Sequence, residues 1–183
     1  MKRLWTPWRM AYLRTPPASK RGCIFCAKQR ANPKWDRDNL VVLRGKCAFV
    51  ALNLYPYTNG HLMVAPYQHT GDLESLDGET LKEMMLLVTH SIRALRRTMS
   101  PQGFNIGANL GRVAGAGVED HVHIHIVPRW GGDTNFMPVL ADMRMIPELL
   151  PQTYDGLLAA FNATNEKASK PSPKKQRRTK RLK

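Results

Sequence analysis

Three histidines separated by single β-branched residues, His121-Val122-His123-Ile124-His125, are the residues of this chain best suited to chemistry. Imidazole is a nucleophile, a proton carrier and a metal ligand near neutral pH. Polar and β-branched residues alternating in twos read as a half-buried strand. Successive strand side chains point to opposite faces. Val122, Ile124 and Ile126 therefore face a core, and the three imidazoles line the other face about 7 Å apart. One metal ion suits such a row poorly. Three successive same-face residues span roughly 13–14 Å, too far for ligand bonds near 2.1 Å to converge.

The loop Gly111-Arg112-Val113-Ala114-Gly115-Ala116-Gly117 runs into this strand. Small residues let backbone N–H groups approach an oxyanion, forming a nest for phosphate. A neutral imidazole can attack phosphorus and divide one displacement into two, while nearby donors offset charge on the phosphoryl oxygens. His123, with a histidine on either side, is best placed to attack.

A second constellation is Cys23-Ile24-Phe25-Cys26. Its two-residue gap suits two thiolates on one zinc ion, which takes four N or S ligands. Such a pair can also be redox-active or merely buried, but no thioredoxin-like βαβ unit accompanies it. His69 and His121 are candidate third and fourth ligands, and spacing alone does not choose them. Cys47 lies in an apolar stretch and reads as an inert core residue.

The elements that must position these groups follow from patterning. Residues 38–43 and 48–52 read as strands broken by Arg44-Gly45-Lys46, and His61–Ala65 as a third, stopped by Pro66. The turn-rich Tyr55-Pro56-Tyr57-Thr58-Asn59-Gly60 joins the last two. Asp77 can cap a helix over Gly78–Met99, with Leu81, Met84, Met85, Val88, Ile92 and Leu95 at helical spacing and Pro101 ending it. Phe104–Leu110 reads as a strand, the histidine segment as the next, and Ile146–Phe161 as a second helical region. The order β-β-β-α-β-β-α lacks alternating βα units, which predicts an α+β domain on a mostly antiparallel sheet.

The 183 residues carry a net charge of +14 and fit one ordinary domain with a tail. Residues 1–22 read as an arm packed on the domain, 23–163 as the domain, and 164–183 as a disordered basic tail. From Asn165 onward nine Lys or Arg face one Glu, and almost nothing there is apolar. The tail predicts solubility or weak nonspecific contact with nucleic acid through counterion release. No aromatic residue interleaves with its charges to stack on bases. No apolar run approaches the roughly 20 residues of a membrane span, and the start lacks a secretory signal pattern. Three cysteines argue against a disulfide framework, so a cytoplasmic protein is expected.

His121–Val127 resembles the H-φ-H-φ-H-φ-φ motif of the histidine triad family. Leu4-Trp5, Pro7-Trp8-Arg9, the Cys23–Cys26 element, Gly60-His61-Leu62 and Gly131-Gly132-Asp133-Thr134-Asn135-Phe136 are similar to a bacterial branch that includes diadenosine tetraphosphate phosphorylases. The resemblance spans residues 4–161. It implies a five-stranded antiparallel sheet with two helices, paired in a homodimer. It also implies adenine nucleotides and inorganic phosphate as substrates, with His123 attacking the α-phosphorus. His61 and His125 would hold phosphate oxygens, Asn53 would contact the nucleotide sugar, and Asn109 and Trp130 would line the nucleotide pocket. Zinc would take Cys23, Cys26, His69 and His121, with no organic cofactor.

Hydrolytic branches of the family carry glutamine four residues before the first triad histidine, where this chain has Gly117. A glycine there provides less for water activation and leaves room for a second anion, so phosphorolysis to ADP and ATP is expected over hydrolysis. The alternatives are a hydrolase of dinucleoside polyphosphates or adenosine phosphoramidates, a water-activating metalloenzyme, and a polyanion-binding adaptor that works through its tail.

Overall fold

The computed structural model describes residues 22–133 and 148–168. Five strands, β1 (Val41–Arg44), β2 (Ala48–Leu52), β3 (Leu62–Pro66), β4 (Gly103–Gly107) and β5 (Ile124–Arg129), form one sheet in the order β1-β2-β3-β5-β4. Every pairing is antiparallel. The helices are α1 (Ile24–Arg30), α2 (Gly78–Met99) and α3 (Leu150–Ala168). The α+β class and the antiparallel five-stranded sheet agree with the sequence reading, with α1 added to the two expected helices.

Alternation sorts the strand side chains between two layers. Ala48, Val50 and Leu52 of β2, Leu62 and Val64 of β3, and Ile126 of β5 join Met84, Leu87, Val88 and Leu95 of α2 and Leu157 and Phe161 of α3 in the main core. Phe49, Ala51, Met63 and Ala65 turn the other way and pack with Phe25 of α1. A sheet covered on both faces explains why every residue of β2 and β3 is buried.

α2 has the limits read from sequence. The Asp77 carboxylate accepts from the Thr80 N–H at 2.7 Å, and the chain leaves through Ser100 in a left-handed conformation before Pro101. β1 begins at Val41, later than expected, because Leu40 adopts a φ of +58° that no strand accommodates. β4 ends at Gly107, short of Leu110. α3 starts at Leu150, with Pro151 in its first turn, where a missing N–H is harmless. Ile146 and Pro147 lie outside the described residues. α3 continues to Ala168, into the segment assigned to the tail. The arm over 1–21 and the basic segment from 169 lie outside the described residues, and with them the expected packing and nucleic-acid contact.

The histidine segment differs in one respect. The ladder of β5 begins at Ile124, so His121 and His123 precede it. β3 ends in Pro66, which has no N–H to offer, and the Pro66 carbonyl is taken by the His121 ring at 2.9 Å.

Candidate active site

Val122 and Ile126 are buried in the main core and Ile124 packs against it. The three triad rings are driven to the opposite face, where His121 and His123 are buried and His125 is half-buried. His121 is 0% and His123 5% exposed, because the Phe25 ring lies over both with centroids 5.1 and 4.7 Å away. The His123 and His125 rings meet edge to face at 4.7 Å.

His123 Nδ1 stands 2.9 Å from the His121 carbonyl oxygen. A carbonyl only accepts, so Nδ1 carries the proton and Nε2 keeps its lone pair. Burial pushes the His123 pKa down, against a smaller upward pull from that carbonyl. The result is a neutral imidazole whose Nε2 lone pair is set by a backbone carbonyl two residues earlier.

His61 joins from the start of β3. Gly60 before it has a φ of +73°, and a Cβ there would stand 2.7 Å from Met99 Sδ of α2, so only glycine lets this turn close. His61 Nε2 lies 2.9 Å from His125 Nδ1. Burial, then the neighbouring His125 and His123, hold the His61 pKa down at about 3. Burial and His123 hold that of His125 at about 4. Asn53 and the Tyr57 amide both reach His61 Nδ1, each at 3.2 Å.

A second cluster adjoins the triad. Cys23 Sγ lies 3.2 Å, Cys26 Sγ 3.7 Å and His69 Nδ1 3.3 Å from His121 Nδ1, and Cys26 Sγ lies 3.4 Å from His69 Nδ1. All four ligand atoms fall within 4.8 Å of one another. Tetrahedral bonds of 2.0–2.3 Å separate ligand atoms by about 3.3–3.8 Å, so the donor set and its spacing fit a four-coordinate ion with N and S ligands. His121 Nε2 donates to the Pro66 carbonyl, which turns its Nδ1 lone pair to the cluster. Cys47 stands outside this group.

α1 places both cysteines, Cys23 as its N-cap and Cys26 in its first turn. Its far end is tied to β1 by Arg44, which donates to the carbonyls of Lys28 and Gln29 at 2.9 and 3.1 Å and to the Asp36 carboxylate at 2.7 Å. The sequence reading did not contain this helix, nor the roles of Phe25, Arg44 and Tyr57. A hydrophobic residue inside the Cys-x-x-Cys element was the one available signal for Phe25.

Asn109 stands two residues beyond Gly107, the β4 residue paired with His125. Its side chain donates to the Gly115 carbonyl at 3.3 Å and braces the glycine-rich loop. Gly117 is exposed, with nothing within 4 Å of where a Cβ would stand. Trp130 follows the far end of β5, roughly 20 Å along the chain from His123. Its indole N–H donates to the Met99 carbonyl at 3.2 Å, so the structure does not bring it to the triad.

Comparison with known proteins agrees with this arrangement. The HIT domain model matches residues 35–132. The AP-4-A phosphorylase of Mycobacterium tuberculosis is 41% identical over 157 residues, 84% of this chain and 80% of that protein. An adenosine 5'-monophosphoramidase of Schizosaccharomyces pombe is 29% identical over 107 residues, 58% of this chain and 74% of that protein. Among solved structures, a Zn-bound histidine triad family protein from Mycobacterium smegmatis superposes with a TM-score of 0.63 at 28% identity, covering 80% of this chain and 98% of that one. The chain belongs to the HIT domain family.

Proposed function

We propose that this chain is a nucleotidyl transferase that cleaves diadenosine tetraphosphate by phosphorolysis. The observation that carries the reading is the buried, neutral His123 with Nδ1 bound to the His121 carbonyl and Nε2 free. The M. tuberculosis AP-4-A phosphorylase likeness supports the substrate. In the first step Nε2 bonds to the α-phosphorus and the bond to the bridging oxygen breaks, releasing ATP and leaving AMP on His123. In the second, an oxygen of inorganic phosphate attacks the same phosphorus, the N–P bond breaks, and ADP leaves. A polyphosphate is a weakly basic leaving group, so no strong general acid is obligatory. His125 is placed to hold a phosphoryl oxygen, whereas both ring nitrogens of His61 are engaged, so that His61 supports His125 instead of contacting the phosphoryl group as expected. A glycine at 117 puts no side chain in the way of an attacking phosphate.

Zinc fits Cys23, Cys26, His69 and His121 and would supply structural cross-linking there. The chemistry stays with His123. A homodimer through β4 accords with the sheet's edges. The Val41 carbonyl on β1 is occupied by the Tyr154 hydroxyl at 2.9 Å, whereas on β4 Ile106 is 46% exposed. Sedimentation at micromolar concentration reads the dimer directly.

The reading is tested by rapid quench with diadenosine tetraphosphate and peptide mass spectrometry, with products followed with and without phosphate. AMP on His123, and ADP that appears only with phosphate, are expected. No adduct overturns the mechanism. AMP and ATP formed regardless of phosphate would place the chain with the hydrolases, the reading favoured by the monophosphoramidase likeness.

A further inference from the structure

Asn53 follows the last residue of β2, and the backbone fixes the orientation of its carboxamide. The Tyr55 N–H donates to Asn53 Oδ1 at 3.0 Å, which turns Nδ2 to His61 Nδ1 at 3.2 Å. The Tyr57 N–H reaches the same ring nitrogen at 3.2 Å. Both neighbours of His61 Nδ1 are therefore donors, and a nitrogen facing two donors must accept. Neutral His61 carries its proton on Nε2, 2.9 Å from His125 Nδ1. His125 Nδ1 accepts in turn, which leaves the His125 proton on Nε2.

The order matters because two neutral imidazoles facing nitrogen to nitrogen, His61 buried and His125 half-buried, have two proton arrangements. In one, His125 ends in an N–H that can hold a phosphoryl oxygen. In the other it ends in a lone pair that repels one. The geometry points to Asn53 as a positioning residue that, with the Tyr57 amide, sets this proton order and keeps His125 a donor beside His123. This deepens the phosphoryl-transfer reading above and rests on it. Asn53 retains one N–H and one lone pair, so a sugar contact is compatible with this role.

Asn53→Asp replaces the donor by an acceptor of equal size. His61 Nδ1 then gains a proton, either by flipping the order so that His125 presents its lone pair, or by protonating the whole ring beside the new carboxylate. The titratable groups facing His61 are His125 of β5, His123 just before it, and Tyr57, whose ring lies 4.7 Å away.

The experiment uses the full chain labelled with 15N, whose long-range proton–nitrogen spectra at neutral pH distinguish ring tautomers. Wild type is expected to show Nε2–H at His61 and His125 and Nδ1–H at His123. Asn53→Asp is expected to show a proton on His61 Nδ1. Its kcat should fall about 100-fold at high pH, the order seen for loss of one oxyanion donor. It should recover as pH falls and His61 becomes cationic, a dependence absent from wild type. Nδ1–H at His61 in wild type overturns the proposal, and this measurement stands even if the variant does not fold. Unchanged tautomers with a raised KM alone also overturn it and assign Asn53 to the sugar. A missing AMP adduct on His123 in the same wild-type sample defeats the enzymatic reading separately, because the tautomer spectra do not depend on turnover.

Discussion

The Phe25 ring stands 4.7 Å from the His123 ring, and Phe25 lies between the two cysteines of the ligand cluster. One short helix with its N-cap thus holds both the two cysteines of the cluster and the ring that covers His123. Phe25 is 1% exposed and also meets Phe49 with centroids 6.4 Å apart. Its removal opens a cavity beside the His123 ring. Phe25→Ala should lower stability by about 3–5 kcal/mol and lower kcat more than it raises KM, as denaturant midpoints and single-turnover rates would show. A variant that is destabilised but turns over at the wild-type rate would mean the ring supports only the fold.

The ligand cluster makes its own prediction. Purified protein should contain one zinc per chain by elemental analysis. Cys26→Ser should weaken zinc binding by far more than tenfold, since even loss of an outer partner costs 10–100-fold. Burial and the adjacent Cys23 thiol push the Cys26 thiol pKa up in the metal-free pair, so metal uptake should release protons, measurable in weak buffer. Stoichiometric protein with no metal and an unchanged melting temperature on chelation would defeat the assignment.

The triad and α2 were legible in the sequence because each is written in a strong local code. Two-residue alternation sorts Val122 and Ile126 from the histidines, and an Asp77 cap and Pro101 bracket a long apolar stripe. α1 was not legible, since it has seven residues and only Phe25 among them is buried. Spacing could not select His69 and His121 as partners of the cysteines, which come from 43 to 98 residues away in the chain. The Tyr57 amide is a backbone group with no sequence signature. The start of the β5 ladder was missed because it is set by Pro66 on another strand.

Stability should fall on mild acidification. Burial, helped by neighbouring histidines, lowers the pKa of His61 to about 3 and of His125 to about 4, and also lowers those of His121 and His123. Unfolded histidine titrates near 6.5. Below that value the unfolded chain binds more protons than the folded one, so stability is fully present above about pH 6.5 and lost as pH falls toward the folded values. Each such group contributes a slope of up to about 1.4 kcal/mol per pH unit. Asp77 and Asp155, whose pKa values are lowered by hydrogen bonds from Thr80 and Arg37, act in the same direction but in a lower window, because unfolded aspartate titrates near 4. The melting temperature should therefore already drop between pH 6.5 and 5, and a flat profile there would contradict buried neutral rings.

Gly117 offers a test of why phosphate rather than water would complete the reaction. It stands four residues before His121, and a side chain placed there meets nothing within 4 Å, so Gly117→Gln should fold as wild type does. The new amide would occupy space open to a second anion and supply a hydrogen bond to a water. A hydrogen bond worth about 1 kcal/mol changes a partition by roughly fivefold. The ratio of AMP to ADP from diadenosine tetraphosphate at fixed phosphate should rise by that order, while His123 still carries AMP under rapid quench. An unchanged ratio would show that the choice of acceptor is made elsewhere, with the glycine-rich loop braced by Asn109 as the next place to look.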